Sequence, residues 1–285
     1  DDMMLPERLA LQASYLETHP DIVAVSCVAK DLLPGNESPS PSRRAVAADP
    51  VMLEWLLYLG NPLVYSCLMF RRATLPRLGV FMRPHTEYAD DYDLYHRLLD
   101  IGPIVQLPHT LMTYRFHAAN TAKRVEPTMQ KNAATVLAAA LRRHDFSNDR
   151  EAVANLLIQH CGGRRPIDSR ETFDALLDAL RRLRWHFVVR LRWQVMTQPA
   201  FDFIDSSITD ITRRCLRGAL RQGAMWPLLY LAQQRAPSAI DPASLPDWTV
   251  SLGVGAARKL SDGLIGRRAR IRPETPPSES ESPRQ

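Results

Sequence analysis

The sequence predicts an α/β layer followed by an all-helical region, on three observations. Over the first 117 residues, helix-like amphipathic stretches alternate with short apolar, β-branched runs bounded by Gly, Pro and Asn. After Asn120 no convincing strand pattern stands out, and alanine-rich or strongly amphipathic stretches take over. From Pro273 the chain reads Pro-Glu-Thr-Pro-Pro-Ser-Glu-Ser-Glu-Ser-Pro, too poor in apolar groups to order itself. The expected division is residues 1–120, 121–272, and a disordered tail at 273–285.

The elements follow in order. Residues 6–18 read as a helix: Pro6 suits the first turn, where no backbone donor is needed, and Leu9, Leu11, Tyr15 and Leu16 supply its apolar positions. Residues 22–28 form a short β-branched run, a buried strand. Residues 30–48 carry Pro34-Gly35-Asn36 and a Ser/Pro alternation, a loop. Asp49 is an N-cap and Pro50 the first helical residue of a helix to Tyr58, stopped by Gly60-Asn61-Pro62. Residues 63–70 read as a second buried strand, and residues 75–78 as one helical turn closed by Gly79. Residues 90–100 are a helix whose acidic start complements the macrodipole, with Asp93 and Arg97 an i,i+4 pair and Gly102 the cap. Residues 104–107 and 110–116 read as strands joined across Pro108. Helices are expected at 127–143, 171–195, 205–221 and 227–235.

The chain has 285 residues, 45% hydrophobic and 24% charged, a globular composition with enough length for a sizeable core. Net charge is +5, and the arginine-rich excess lies after residue 140. That asymmetry points to an anionic partner. Arg181, Arg182, Arg184, Arg190 and Arg192, interleaved with Leu183, Trp185, Phe187, Val188 and Leu191, suit either an amphipathic element at an anionic membrane or a solvated face packed through its apolar residues. Arg213, Arg214, Arg217 and Arg221 continue the pattern. Nucleic acid is not expected as a partner: there is no helix-turn-helix, zinc pattern or aromatic stacking platform. Cys27, Cys67, Cys161 and Cys215 lack metal or redox spacing; Cys27 and Cys67, in apolar strand-like runs, read as small buried thiols, and the set suits a protein kept reduced in the cytoplasm.

Two acidic clusters stand at helix mouths, Asp1-Asp2 and Asp90-Asp91, and Tyr114-Arg115-Phe116-His117 brings an imidazole after the last strand. Such acids suit a metal-bound phosphate and an acceptor proton. They suit equally well the N-cap and first-turn acids of two ordinary helices, with His117 structural and Arg115 a surface charge.

Four strings in order resemble the C-terminal half of the catalytic domain of family 2 glycosyltransferases. They are Asp1-Asp2 with Leu5-Pro6-Glu7-Arg8-Leu9; Asn61-Pro62 leading to Met69-Phe70-Arg71-Arg72 and Leu78-Gly79; Asp90-Asp91-Tyr92-Asp93-Leu94 with Arg97-Leu98; and Leu107-Pro108 with Tyr114-Arg115-Phe116-His117. The family's first dyad acid is usually Glu, so Asp90 departs by one methylene. The resemblance implies a GT-A (Rossmann-like) nucleotide-sugar transferase domain over residues 1–120, with its first strands and base-binding loop preceding Asp1. The chain is accordingly expected to be N-terminally truncated and inactive as a fragment.

The resemblance further implies Asp91 as catalytic base beside Asp90, Asp1, Asp2 and His117 as ligands of Mn²⁺ or Mg²⁺, and Arg115 as a phosphate contact. The expected reaction moves a sugar from a nucleotide diphosphate donor to a hydroxyl of a glycan or lipid-linked acceptor, with inversion, in bacterial envelope polysaccharide synthesis. The expected place is the cytoplasm, peripheral to the inner face of the membrane. Two other readings stay open: a non-catalytic module that binds a membrane or protein through the basic helices, and a metal-dependent hydrolase using the same acids.

Overall fold

The computed structural model describes residues 2–42, 44, 46–117, 125–144, 146, 148–191, 196–234 and 245–270, and the side chains of 233, 234, 245 and 260–270 lie outside that description. Asp1, Arg192 and the tail from 273 therefore lie outside the described residues. Two compact units form: Asp1–Pro166 with Glu171–Thr212, and Ile167–Arg170 with Arg213–Gln285. Among the described residues the strands all lie at or before Arg115, whereas the compact units divide elsewhere.

The first unit holds a mixed five-stranded sheet: β1 (Met3–Met4), β2 (Ala24–Leu32), β3 (Ser40–Pro41), β4 (Met69–Phe70) and β5 (Ile104–Arg115). Its spine is the parallel pair β2–β5, with β1 antiparallel on the far side of β5, and β3 and β4 antiparallel to opposite ends of β2. The two strands expected at 104–107 and 110–116 are one. Register passes from Cys27↔Leu107 to Val28↔Thr110, so the exposed Pro108 and His109 bulge out and the ladder resumes. A bulge accommodates a proline that cannot donate to the ladder.

The helix expected at 6–18 is α1 (Arg8–Thr18), but its buried face is not the apolar one. Arg8, Gln12 and Leu16, spaced four apart, are buried, while Leu9 and Leu11 are exposed. The Gln12 amide donates to the carbonyls of Val25 (3.1 Å) and Cys67 (2.9 Å), and Arg8 donates to the Gln12 side-chain oxygen (2.8 Å) and the Leu68 carbonyl (3.5 Å). Hydrogen bonding to loop carbonyls sets the helix's rotation, because these polar groups gain partners inside that solvent would otherwise supply.

Helix α2 (Pro50–Leu59) begins as expected, with the Asp49 carboxylate accepting from the Val51 and Met52 N–H groups at 2.8 and 3.1 Å. The strand expected at 63–70 is not formed. Residues Tyr65–Cys67 make a 3-10 turn, and only Met69–Phe70 pair with the sheet. The short α3 (Leu75–Leu78) ends at Gly79, whose φ of 68° favours glycine.

Helix α4 (Asp90–Leu99) carries the acids at its start. The Asp93–Arg97 pair (2.7 Å) forms as expected but is buried, and Arg97 also donates to the Val80 and Phe81 carbonyls at 2.8 and 2.7 Å. Gly102 closes the helix by donating to the Leu98 carbonyl.

Among the described residues beyond Arg115 the regular elements are helical: α5 (Glu126–Ala140), α6 (Arg150–Leu156) running into a π turn (Leu157–Gly162), α7 (Arg170–Leu191), α8 (Gln198–Arg221), α9 (Trp226–Gln234) and α10 (Leu245–Arg270). Within the first unit, Trp55, Tyr58 and Phe187 join α2 to α7 through edge-on ring contacts, and the Trp55 indole donates to Ser207 Oγ at 2.7 Å. In the second unit, Gly255 presses against the Leu220 carbonyl so closely that a methyl group there would clash. Arg217 pairs with Asp247 at 2.7 Å alongside. No helix among the described residues is long and apolar enough to cross a membrane.

Candidate active site

The acids at the start of α4 are positioned by a tight approach. Tyr88 adopts φ 65°, a left-handed conformation uncommon outside glycine, and Ala89 N donates to the Thr86 carbonyl at 2.8 Å. The Asn132 amide clamps the Glu87 carbonyl from α5 at 2.8 Å. Ala89 is the N-cap residue, so Asp90 and Asp91 are the first two helical residues rather than caps. There the unpaired backbone N–H groups and the helix dipole favour a negative charge.

Asp91 is half-buried, and its two oxygens are held separately. Oδ1 accepts from the Tyr92 N–H at 2.7 Å, and Oδ2 accepts from the Asn61 amide at 2.8 Å. Burial raises its pKa above the ordinary aspartate value. The bonds from Tyr92 and Asn61 pull the other way, and the charge of Asp90 adds to the rise. Among the described residues Asp91 has no ion pair, so it is a carboxylate of raised basicity still open to a proton.

Asn61 follows Gly60, whose φ is 152° and where a Cβ would sit 2.8 Å from the Gly162 Cα of the π turn. That close backbone approach fixes where α2 ends and hence where the Asn61 amide points. Two strings thirty residues apart in sequence, Asn61-Pro62 and Asp90-Asp91, thereby meet in one hydrogen bond.

The 3-10 turn Tyr65–Cys67 links these acids to the strand edge. Ser66 Oγ donates to Asp2 Oδ2 at 2.5 Å, while Asp2 Oδ1 accepts from Arg115 N at 3.1 Å. Tyr65, next along the turn, has its phenol pushed up by burial and by the charges of Asp90 and Asp91. The fully buried Tyr95 phenol is raised by burial and feels Asp91, Cys67, Tyr65 and Asp90, and among the described residues its hydroxyl has no hydrogen-bond partner. Cys67 and Cys27 share a side-chain hydrogen bond that lowers the Cys27 thiol and raises that of Cys67. The four cysteines are all buried, and none of them is in a disulfide.

Of the expected site residues, Asp2, Asp90 and Asp91 are thus gathered about one turn. Arg115 meets Asp2 through its backbone N–H, and its side chain is exposed. His117 is exposed two residues further on. Among the described residues no three His, Cys, Asp or Glu side chains converge as a metal set. Both Asp2 oxygens accept hydrogen bonds, and Asp1 lies outside the described residues. Asn61, Tyr65 and Ser66 were missed in the sequence. The Asn61-Pro62 string was visible, but nothing local tells that its amide faces an acid on another helix.

The basic helices are engaged internally. Arg182 pairs with Asp149 (2.6 Å), Arg184 with Asp205 (2.5 Å), and Arg190 with Glu54. These contacts draw part of the positive charge of α7 into intramolecular pairs.

No family model matches the sequence. Over 125 residues the chain is 28% identical to the amylovoran biosynthesis glycosyltransferase AmsE of Erwinia amylovora, a match covering 44% of this chain and 45% of that protein. The match therefore spans less than half the length of that curated relative.

Proposed function

We propose that this chain is part of a glycosyltransferase in which Asp91 is the catalytic base. The observation that carries the reading is the Asp91 carboxylate: held by Asn61 and its own helix start, unpaired by any described cation, and raised in pKa by burial. The chain's similarity to a glycosyltransferase of amylovoran biosynthesis supports the same reading.

In the proposed step an acceptor hydroxyl docks against Asp91. The carboxylate takes its proton as the oxygen attacks the anomeric carbon of a nucleotide-diphosphate sugar, and the bond to the diphosphate breaks with inversion. Burial makes Asp91 a stronger base than an exposed aspartate, while the position at a helix N-terminus favours its ionised form. Asp90 contributes negative charge beside it. The acceptor is a glycan or lipid-linked hydroxyl.

The test is sugar-nucleotide turnover by the full protein that carries this chain. Asp91→Asn is expected to lower sugar transfer by about 10²–10⁴-fold, the usual worth of a general base. Full transfer activity in Asp91→Asn would end the assignment.

A further inference from the structure

We propose that Cys27 and Cys67 are a redox pair that closes to a disulfide, with Cys27 the attacking sulfur and hydrogen peroxide the oxidant. This site stands apart from sugar transfer and does not depend on it.

The two thiols are far apart in sequence, and the fold brings them together. Cys27 lies on β2 and Cys67 ends the 3-10 turn before β4. They are 1% and 0% exposed and share one apolar cluster with Val64, Leu111 and Met112. β2 and β4 pair antiparallel, Ala24 against Phe70 and Val25 against Met69, and that register continued two residues along sets Cys27 against Cys67. The same approach is seen in the Gln12 amide, whose nitrogen donates to the Val25 carbonyl at 3.1 Å and to the Cys67 carbonyl at 2.9 Å. Directly opposed antiparallel residues lie about 4.5–5.5 Å apart at Cα, within the span a disulfide bridges. The Cys67 thiol already donates a hydrogen bond to Cys27.

Charge selects which thiol reacts. Arg8, buried, meets Met112 Sδ at 3.1 Å in the same cluster, and its other partners are Gln12 and the Leu68 carbonyl. Among the described residues no carboxylate pairs with it. A buried guanidinium without a carboxylate favours an anion nearby, and the thiolate is the form of cysteine that attacks peroxide. The hydrogen bond from Cys67 draws the Cys27 thiol down, burial opposes it, and the charge of Arg8 adds to the fall; Cys67 is pushed up and stays a thiol. Cys67 is flanked by half-buried Ser66 and Leu68, and β4 is two residues long, so peroxide enters by local opening of that turn. The Cys27 sulfur takes one peroxide oxygen as the O–O bond breaks, becoming a sulfenic acid, and the other oxygen leaves as water with the thiol proton. Cys67 then attacks that sulfur, its own proton goes to the departing hydroxyl, and a second water leaves as the S–S bond forms. The two sulfurs together give up two electrons, which the peroxide gains.

The experiment exposes the folded chain to hydrogen peroxide, alkylates the remaining thiols in denaturant with N-ethylmaleimide, and maps the peptides by mass spectrometry. Two alkyl groups per chain instead of four are expected, on Cys161 and Cys215, with the Cys27 and Cys67 peptides joined and two hydrogens lost. Burial pushes the Cys215 thiol up to about 11, so it serves as the unreactive reference. Dithiothreitol is expected to restore all four thiols. In Cys67→Ser the reaction is expected to halt at the Cys27 sulfenic acid, which dimedone captures. In Cys27→Ser, dimedone is expected to label Cys67 about tenfold less. Melting curves read whether each serine variant folds, and the wild-type map decides the pairing where one does not. Four alkylated cysteines after peroxide, a disulfide joining any other pair, or the sulfenic acid on Cys67 rather than Cys27 overturns the proposal.

Discussion

Arginine does different work in the two halves of this molecule. Before residue 117, Arg8, Arg71 and Arg97 reach inward to backbone carbonyls. Arg71 takes those of Leu16, Ile22 and His19 at the end of α1, and Arg97 takes Val80 and Phe81 in the loop before the acids. After residue 140, Arg182, Arg184 and Arg217 reach outward to aspartates that are themselves 40–63% exposed. A guanidinium that satisfies several loop carbonyls fixes a geometry, whereas one that meets an exposed carboxylate is screened by water. The first kind ties loops and helix ends to their neighbours; the second distributes charge over helices. The net charge of +5 is therefore a poor guide to where an anion would bind.

The sharpest way to break this contrast is Arg97→Ala. It leaves Asp93, 6% exposed, without its main partner, with Arg83 remaining at 3.4 Å, and removes the donor to three carbonyls, those of Leu78, Val80 and Phe81. The expected loss is about 3 kcal/mol in chemical denaturation. A loss below about 1 kcal/mol, the worth of a surface pair, would erase the distinction.

Arg190→Ala probes an intermediate case. Its partner Glu54 is largely buried, and burial raises the Glu54 carboxyl while Arg190 pulls it down. Removing the arginine should raise the Glu54 pKa further and cost about 1–3 kcal/mol at neutral pH. The penalty should shrink as pH falls and Glu54 takes up a proton. A pH-independent loss would show that Arg190 acts through packing alone.

Arg184→Gln marks the other end of the scale. The Arg184–Asp205 pair is 35% and 54% exposed, so the change should cost less than about 1 kcal/mol and fade in high salt. A larger, salt-insensitive loss would place α7 with the first group.

Much of the scaffold was legible because its signals are local. Asp49-Pro50 opens α2, Gly79 closes α3, and the acids lead α4, each from chemistry confined to a few residues. What was not legible depends on partners far along the chain. Apolar pattern placed Leu9 and Leu11 inward on α1, but carbonyls of the 65–68 turn claimed Arg8 and Gln12 and rotated the helix. The apolar run at 63–70 looked like a strand, yet two turns of loop hydrogen bonding and a two-residue pairing take its place. Pro108 suggested a break where the ladder only bulges. At the site, Asp90 and Asp91 stood out as acids, and Asn61 stood in a recognised string, but their contact spans thirty residues that no periodicity reports. Tyr65 carried no signal beyond an aromatic in an apolar run.

The most direct test of the account is the pH profile of sugar transfer in wild type and Asn61→Ala. The Asn61 bond favours the ionised carboxylate, so removing it should raise the Asp91 pKa and move the acidic limb of kcat/KM to higher pH. An acidic limb that stays where it was, in a variant that folds and still turns over the donor, would show that another group than Asp91 accepts the proton.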